Sequence, residues 1–288
     1  MIALPNLTHG RRSGVFVRGD PGVGMLRSGG PGNRRFLLAL LAPVLSYAVQ
    51  LPVRSYTTAD GLPRNVVNRI IRDARGLMWF ATDEGLARFD GYNFTAYSID
   101  QGLPSYLVND ILETSTGTFW VAMNRGLCRF NPSAAGPRFT IYHPGESQTS
   151  QMVTKLYEDR AHRLWVGTRA GLYWMEETAN RGASFHFVDL KSPNKYANDR
   201  AIYAILQDRR NTLWVAVSNG LYHLTADGRT ELYETRHGLP FNLITQILED
   251  RRAFVGQHAG RSLPARRSAG PKPLDRCTAV LDQRWTSG

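Results

Sequence analysis

The 288 residues carry a formal charge of +11, a pI near 10.0, 42% hydrophobic residues and two cysteines. That is long enough for one large domain and too poor in cysteine for a disulfide scaffold. Residues 1–54 and 251–288 hold +6 each, leaving −1 for residues 55–250. The long middle region therefore lacks the basic, aromatic-interleaved stripe that follows a phosphate backbone, and no nucleic-acid partner is expected.

Residues 1–24 are rich in Gly and Arg without periodicity. From Met25 the order changes. Arg27, Arg34 and Arg35 precede an apolar run, Phe36 to Leu45, and then the small residues of Ser46-Tyr47-Ala48. This is the layout of a secretory signal peptide, too short for a membrane span. It predicts export, a true start at Met25, a mature chain from near Val49 and a membrane association through this segment alone. An uncleaved anchor is the alternative.

The stretch Gly61 to Gly91 reads as strand, turn, strand, turn, strand, turn. Its turns, Asp73-Ala74-Arg75-Gly76, Asp83-Glu84-Gly85 and Asp90-Gly91, each place Gly after polar residues. Phe94-Thr95-Ala96-Tyr97 adds a fourth strand of alternating aromatic and small residues. Four short antiparallel strands in about 40 residues is the size of one propeller blade. The stretch then repeats at Val108–Phe130, Val153–Met175 and Ile202–Leu224. The aligned tryptophans, Trp79, Trp120, Trp165 and Trp214, lie 41, 45 and 49 residues apart. Six residues after each comes Gly-Leu, at Gly85, Gly126, Gly171 and Gly220. A fifth copy opens at Gly238-Leu239-Pro240 and reaches Ile247-Leu248-Glu249-Asp250 without a following Trp.

The pattern Gly-Leu-Pro-x-Asn, then Asp-x-x-Gly-x-x-Trp and Gly-Leu, resembles the two-component regulator propeller repeat. Residues 61–89 fit it almost fully. Later copies depart from it, with Thr114 opposite Asp73 and with His162 and Asn211 opposite Gly76. The resemblance implies an all-β propeller and the periplasmic sensor role of hybrid two-component histidine kinases. The expected fold is a β-propeller of four-stranded antiparallel blades, about four and a half of them, forming an incomplete ring. The expected boundaries are 1–48 for the N-terminal extension and signal peptide, and 49–250 for the repeats. The blades fall near 61–100, 101–146, 147–198 and 199–237, with a partial blade at 238–250.

Within a blade, each Trp is expected between neighbouring sheets, and each Gly of Gly-Leu in a left-handed turn conformation. Asp73, Asp159 and Asp208 are expected to accept local backbone amides, and Asn65 and Asn242 to cap the turn after Pro63 and Pro240. Cys128 stands where Ala87, Tyr173 and Tyr222 stand in the other copies, as an apolar strand residue. Nothing in the sequence pairs it with Cys277.

Lead-in connections such as Gly102-Leu103-Pro104 line the central mouth of a propeller, so ligand contacts are expected near them. The insertions Asn131–Arg138, Glu176–Ala183 and Lys191–Arg200 are further candidates, because long loops on a rigid scaffold carry specificity. Tyr142, His143, Trp174 and Tyr196 lie near them and could contact carbohydrate. Glu176 and Glu177 read as loop residues with no partner motif. The tail, 251–288, is basic, rich in Gly, Pro and Ser, and without strand periodicity. It is expected to be unstructured, from a shifted reading frame, a truncated gene or a natural disordered extension.

None of the seven histidines lies on a helix like that of a kinase phosphoacceptor, and no nucleotide-binding loop or Gly-x-Ser-x-Gly is present. No catalytic, cofactor or metal residue is assigned, no cofactor is expected, and ligand-binding residues stay unassigned. The expected function is an exported ligand-sensing propeller segment of a two-component system, with a small-molecule or oligosaccharide ligand and no kinase activity of its own. Its other partner would be the remaining blades or another chain, since an open array leaves sheet edges unpaired. A propeller lyase or hydrolase acting on polysaccharide, with carboxylates converging from different blades, and a protein-interaction scaffold stay open as alternatives.

Overall fold

The structure, a computed structural model, describes residues 2–5, 53–177, 182–192, 200–249 and 254–257. The signal segment, Tyr196 and Cys277 lie outside them. The chain divides into two compact units, residues 2–55 and residues 56–288. In the first, the strand Ile2–Pro5 pairs with the strand that opens at Val53.

The second unit is a series of four-stranded antiparallel sheets whose strands lie in sequence order. The first comprises Val67–Arg72, Met78–Thr82, Gly85–Phe89 and Phe94–Tyr97. The second comprises Val108–Glu113, Phe119–Met123, Gly126–Phe130 and Phe139–Tyr142. The third comprises Val153–Glu158, Leu164–Thr168, Gly171–Glu177 and Ala183–Val188. The fourth comprises Ile202–Gln207, Leu213–Val217, Gly220–Leu224 and Thr230–Tyr233. Gln246–Glu249 pairs with Phe254–Gln257 to begin a fifth. This is a β-propeller array of four blades and half of another, as the repeats predict. The strand at Phe254–Gln257 corrects the expectation that nothing regular follows Asp250. Its four residues carry no alternation of their own, and the pairing comes from the partner strand.

Blades two, three and four are each sandwiched between neighbours, and this explains their second strands. Trp79 and Ala81 face one way, into a core completed by Ile111, Phe119, Val121 and Phe130 of the next blade. Trp120 and Ala122 face Leu156, Leu164 and Val166 of the third blade. Trp165 and Trp214 occupy the same place in the next two interfaces. Successive residues of a strand point to opposite faces, so a strand covered on both sides is buried throughout rather than alternately. Phe119–Met123, Leu164–Thr168 and Leu213–Val217 are buried at every position.

The first strands of successive blades lie side by side, which makes them the inner strands. Each carries a register shift near its start, at Val67/Arg69, Val108/Asp110, Val153/Lys155 and Ile202/Ala204. The extra residue of a bulge is re-aimed sideways. Here Asn68 donates to Val108 O at 2.9 Å, Asn109 to Val153 O at 2.7 Å, and Thr154 to Ile202 O at 2.7 Å. A second latch closes the other end of the same strands. Ala74 N donates to Glu113, Ser115 N to Glu158, Arg160 N to Gln207 and Arg209 N to Glu249. Each blade's first turn is thus held by a side chain of the next blade.

The Gly-Leu glycines have φ between +135° and +151°. At Gly220 a Cβ would lie 2.5 Å from Tyr233 O, so both the conformation and the closeness of the outer strand require Gly there. The lead-in turns follow the expected chemistry: Asn65 Oδ1 accepts from Thr58 N at 2.9 Å, and Asn242 Oδ1 from Thr235 N at 2.8 Å.

Candidate functional site

The repeated Asp and Trp form one unit. Trp79 Nε1 donates to Asp73 at 3.0 Å, Trp165 Nε1 to Asp159 at 2.8 Å, and Trp214 Nε1 to Asp208 at 3.2 Å. The other oxygen of Asp73 accepts from Arg75 N and Leu77 N, which are the local amides expected. The bond to the indole was not legible from turn chemistry alone. Its signal is the constant spacing between Asp and Trp, and blade two, with Thr114, lacks it. These carboxylates are structural.

Their titration gives a test. Burial pushes the Asp208 carboxyl up, but hydrogen bonds from Thr212, Trp214 and Arg210 N outweigh it and hold the group below its usual 3.8. Asp73 is held below the same value, against the upward push of burial, by Trp79, Leu77 N, Arg75 and Arg75 N. A depressed folded-state pKa contributes stability that is complete above 3.8 and is lost as pH falls through the folded value. Urea unfolding at about pH 6 and about pH 3 should therefore show acid destabilisation that Asp208→Asn reduces. An unchanged pH dependence in that variant would contradict the assignment.

The sequence-predicted contact residues do not converge. Tyr142 packs on Trp120 with ring centroids 5.6 Å apart, in the core between blades two and three. Trp174 stacks on His186 at 4.0 Å, with the Arg163 guanidinium 4.8 Å from its ring. His143 is exposed. Glu176 and Glu177 are not loop residues: they extend the third strand opposite Ser184 and Ala183. The strands Gly171–Glu177 and Ala183–Val188 run longer than their counterparts in the other blades and take in residues whose local polarity suggested a turn. Cys128 is fully buried, and burial pushes its thiol up to about 12, which makes it an inert core residue. Histidines engage separate neighbours, His162 with Ser115 and His223 with Thr212. Among the described residues no group of three or more His, Cys, Asp or Glu could hold a metal ion.

One insertion does shape cavities. Arg72 pairs with Met78, and Phe89 with Phe94, so first turns and third-to-fourth loops share one end of each blade. At that end the start of the Asn131–Arg138 insertion joins the first turns of blades one and two. Together they enclose an open groove of about 330 Å³, lined by Arg75, Glu113, Thr118, Arg129 and Asn131 among others. The rest of the insertion lines a hollow of about 320 Å³ with Gln101 and Gly102, which belong to a lead-in connection. Both volumes are at the lower end of the small-molecule range.

The groove's lining mixes charged and polar residues with Phe119, Phe130 and Pro132. The Arg75 guanidinium is 3.6 Å from Asp73, and that of Arg129 is 3.8 Å from Glu177. Both pairs are longer than a hydrogen bond, and both arginine side chains are about half exposed. Glu113 accepts from Ala74 N through Oε2 at 2.7 Å.

Comparison with known proteins agrees with this architecture. Residues 61–84 and 147–170 match the family model described as two component regulator propeller. No curated protein matches the chain. Among solved structures, the extracellular domain of BT4673 from B. thetaiotaomicron is similar in two determinations. One, described as a one component system, has a TM-score of 0.54 and 22% identity, covering 65% of this chain and 25% of that one. The other, described as a hybrid two component system, has a TM-score of 0.51 and 23% identity, covering 61% and 24%. PorZ, a bacterial surface component of the type-IX secretion system of Porphyromonas gingivalis, has a TM-score of 0.50 and 16% identity, covering 65% and 30%. This chain therefore spans about a quarter of the length of the BT4673 domains it resembles.

Proposed function

We propose that this chain, which carries two-component regulator propeller repeats, is an exported ligand-sensing segment of a two-component signalling system. It binds a small or oligomeric ligand and performs no turnover, and phosphoryl chemistry belongs to other modules of the system. The observation that supports this most is the groove at the Asn131–Arg138 insertion: a cavity with charged, polar and aromatic lining residues, between two blades that are joined by hydrogen bonds. A fixed scaffold presenting a variable loop suits recognition, because little ordering entropy is then spent on binding. The signal-like segment from Met25 to Ala48 supports export.

Titration calorimetry of the purified chain against a panel of small metabolites and oligosaccharides tests the reading. Saturable heat without change in the ligand is the expected result. Conversion of any panel member would favour a lyase or hydrolase, and capture of a protein partner without small-molecule binding would favour a scaffold. Export is checked separately: the mature protein recovered from cells should begin near Val49.

A further inference from the structure

We infer that the outer edge of blade three is an interface between two copies of this chain, formed by the strand Ala183–Val188 pairing antiparallel with itself about a two-fold axis. This pairing does not depend on the ligand-binding role proposed above.

The outermost strand of a blade is a sheet edge, with a row of unpaired backbone groups along one side. Three of these edges are short. Phe94–Tyr97, Phe139–Tyr142 and Thr230–Tyr233 have four residues each, and the last carries Glu231. Ala183–Val188 differs. It has six residues, Ala-Ser-Phe-His-Phe-Val, with no Gly, Pro, Asp, Glu, Lys or Arg among them. All of them pair with residues 172–177 in unbroken register, so no bulge twists this edge away. In such a ladder the backbone groups of every second residue point away from the partner strand. Among the described residues no strand and no backbone hydrogen bond engages that outer side. Phe187 stands there 49% exposed, with the Tyr173 ring of its own blade at 5.3 Å.

The order of the side chains points to a second copy as the occupant. Residues directly opposite each other in an antiparallel pair project from the same face. Phe185 and Phe187 share the face turned to blade two, where Phe185 packs on the inter-blade core. His186 lies on the opposite face, stacked on Trp174. A two-fold axis between the two His186 residues sets Phe187 of each copy opposite Phe185 of the other. The half-exposed ring thus gains an aromatic cross-strand neighbour, and the contact is made twice. Ser184 meets Val188, and no Asp, Glu, Lys or Arg of the strand meets its like. The existing ladder continues unbroken, two four-stranded sheets becoming one. Each copy spends its edge once, so the assembly closes as a dimer.

The experiment is analytical ultracentrifugation of the full chain over a wide range of concentrations. The expected result is a concentration-dependent dimer of 32.3 kDa chains. Ser184→Lys and Phe187→Lys should each weaken dimerisation at least about tenfold, since each sets ammonium groups against the edge. Both side chains are exposed in the single chain, so these variants should melt like the wild type, which is checked first. His186→Cys should cross-link to its own copy on mild oxidation. Opposite residues of antiparallel strands have Cα atoms about 4.5–5.5 Å apart, within the reach of a disulfide. Ser184→Cys faces Val188 of the copy and should not cross-link. The wild type, with Cys128 and Cys277, is the control for the native thiols. A chain that stays monomeric overturns the inference, whether the edge then takes up an added peptide or nothing. A dimer unchanged in both lysine variants overturns it as well, because another surface then holds the copies. Failure of His186→Cys to cross-link above the wild type overturns the two-fold pairing.

Discussion

Trp79→Ala should lower the unfolding free energy by about 3–5 kcal/mol, a large part of the roughly 5–15 kcal/mol that holds a domain folded. Trp79 is completely buried and touches three rings: Tyr97 at 5.8 Å, Phe119 at 5.2 Å and Phe130 at 5.5 Å. Two of these belong to the next blade, so the cavity opens in the interface that joins blade one to blade two. The surrounding strands are latched at both ends and cannot collapse into it. The same position offers an internal control. Trp79→Phe keeps much of the packing but strands Asp73, whose Oδ2 loses the indole donor at 3.0 Å. Trp120→Phe strands no carboxylate, because blade two has Thr114 at that place. Urea unfolding followed by circular dichroism should therefore rank Trp79→Ala as the largest loss and Trp79→Phe as larger than Trp120→Phe. A Trp79→Ala protein that unfolds like wild type would contradict the sandwiched-blade packing itself.

Much of this arrangement is written in the repeat, and some is not. The Trp and Gly-Leu of each copy locate three strands and the turn between the last two, because a buried aromatic and a positive φ are demands few residues meet. The latches are less visible. Glu113, Glu158, Gln207 and Glu249 occupy the same register, just before the first turn, and look like ordinary polar strand ends. Only the neighbouring blade shows that each is the acceptor for a specific amide. The groove was legible as one of several places, since Asn131–Arg138 is one of three insertions that interrupt the repeats. Its lining was not, because Arg75 belongs to blade one and Glu113 and Phe119 to blade two, and only the stacking of the blades brings them to one place. The aromatic residues that looked like ligand contacts, Tyr142 and Trp174, were claimed instead by packing and stacking. Large apolar surface beside an insertion is as useful to a core as to a site.

Asp110 is the second position where a large loss is expected, and it is one where charge and packing pull in different directions. It sits on the inner strand of blade two, 2% exposed, in register with Arg69 of blade one and Lys155 of blade three. Its Oδ1 accepts from Ile111 N at 3.0 Å and lies 3.3 Å from Arg69 Nε, and its Oδ2 accepts from Leu156 N at 3.1 Å. One carboxylate thus ties three inner strands. Asp110→Ala should cost about 1–3 kcal/mol, set by the buried Leu156 amide left without its acceptor. The larger figures known for broken buried ion pairs do not apply, because Arg69 is about half exposed and regains water. Asp110→Asn keeps an acceptor for Leu156 N and should cost less. The pH dependence separates the charge from the hydrogen bond. Burial pushes the Asp110 carboxyl above 3.8, against the pull of Lys155 and Arg69. A raised folded-state value in an acid means that the folded protein takes up the proton first, so this group's contribution improves as pH falls from its folded pKa toward 3.8. The direction is opposite to that of Asp208, and the Asp208 contribution cancels when wild type and Asp110→Asn are compared at each pH. The advantage of wild type over Asp110→Asn should therefore widen on mild acidification. An advantage that narrows instead would mean that Arg69 and Lys155 outweigh burial, leaving Asp110 stabilised as an anion rather than tolerated as one.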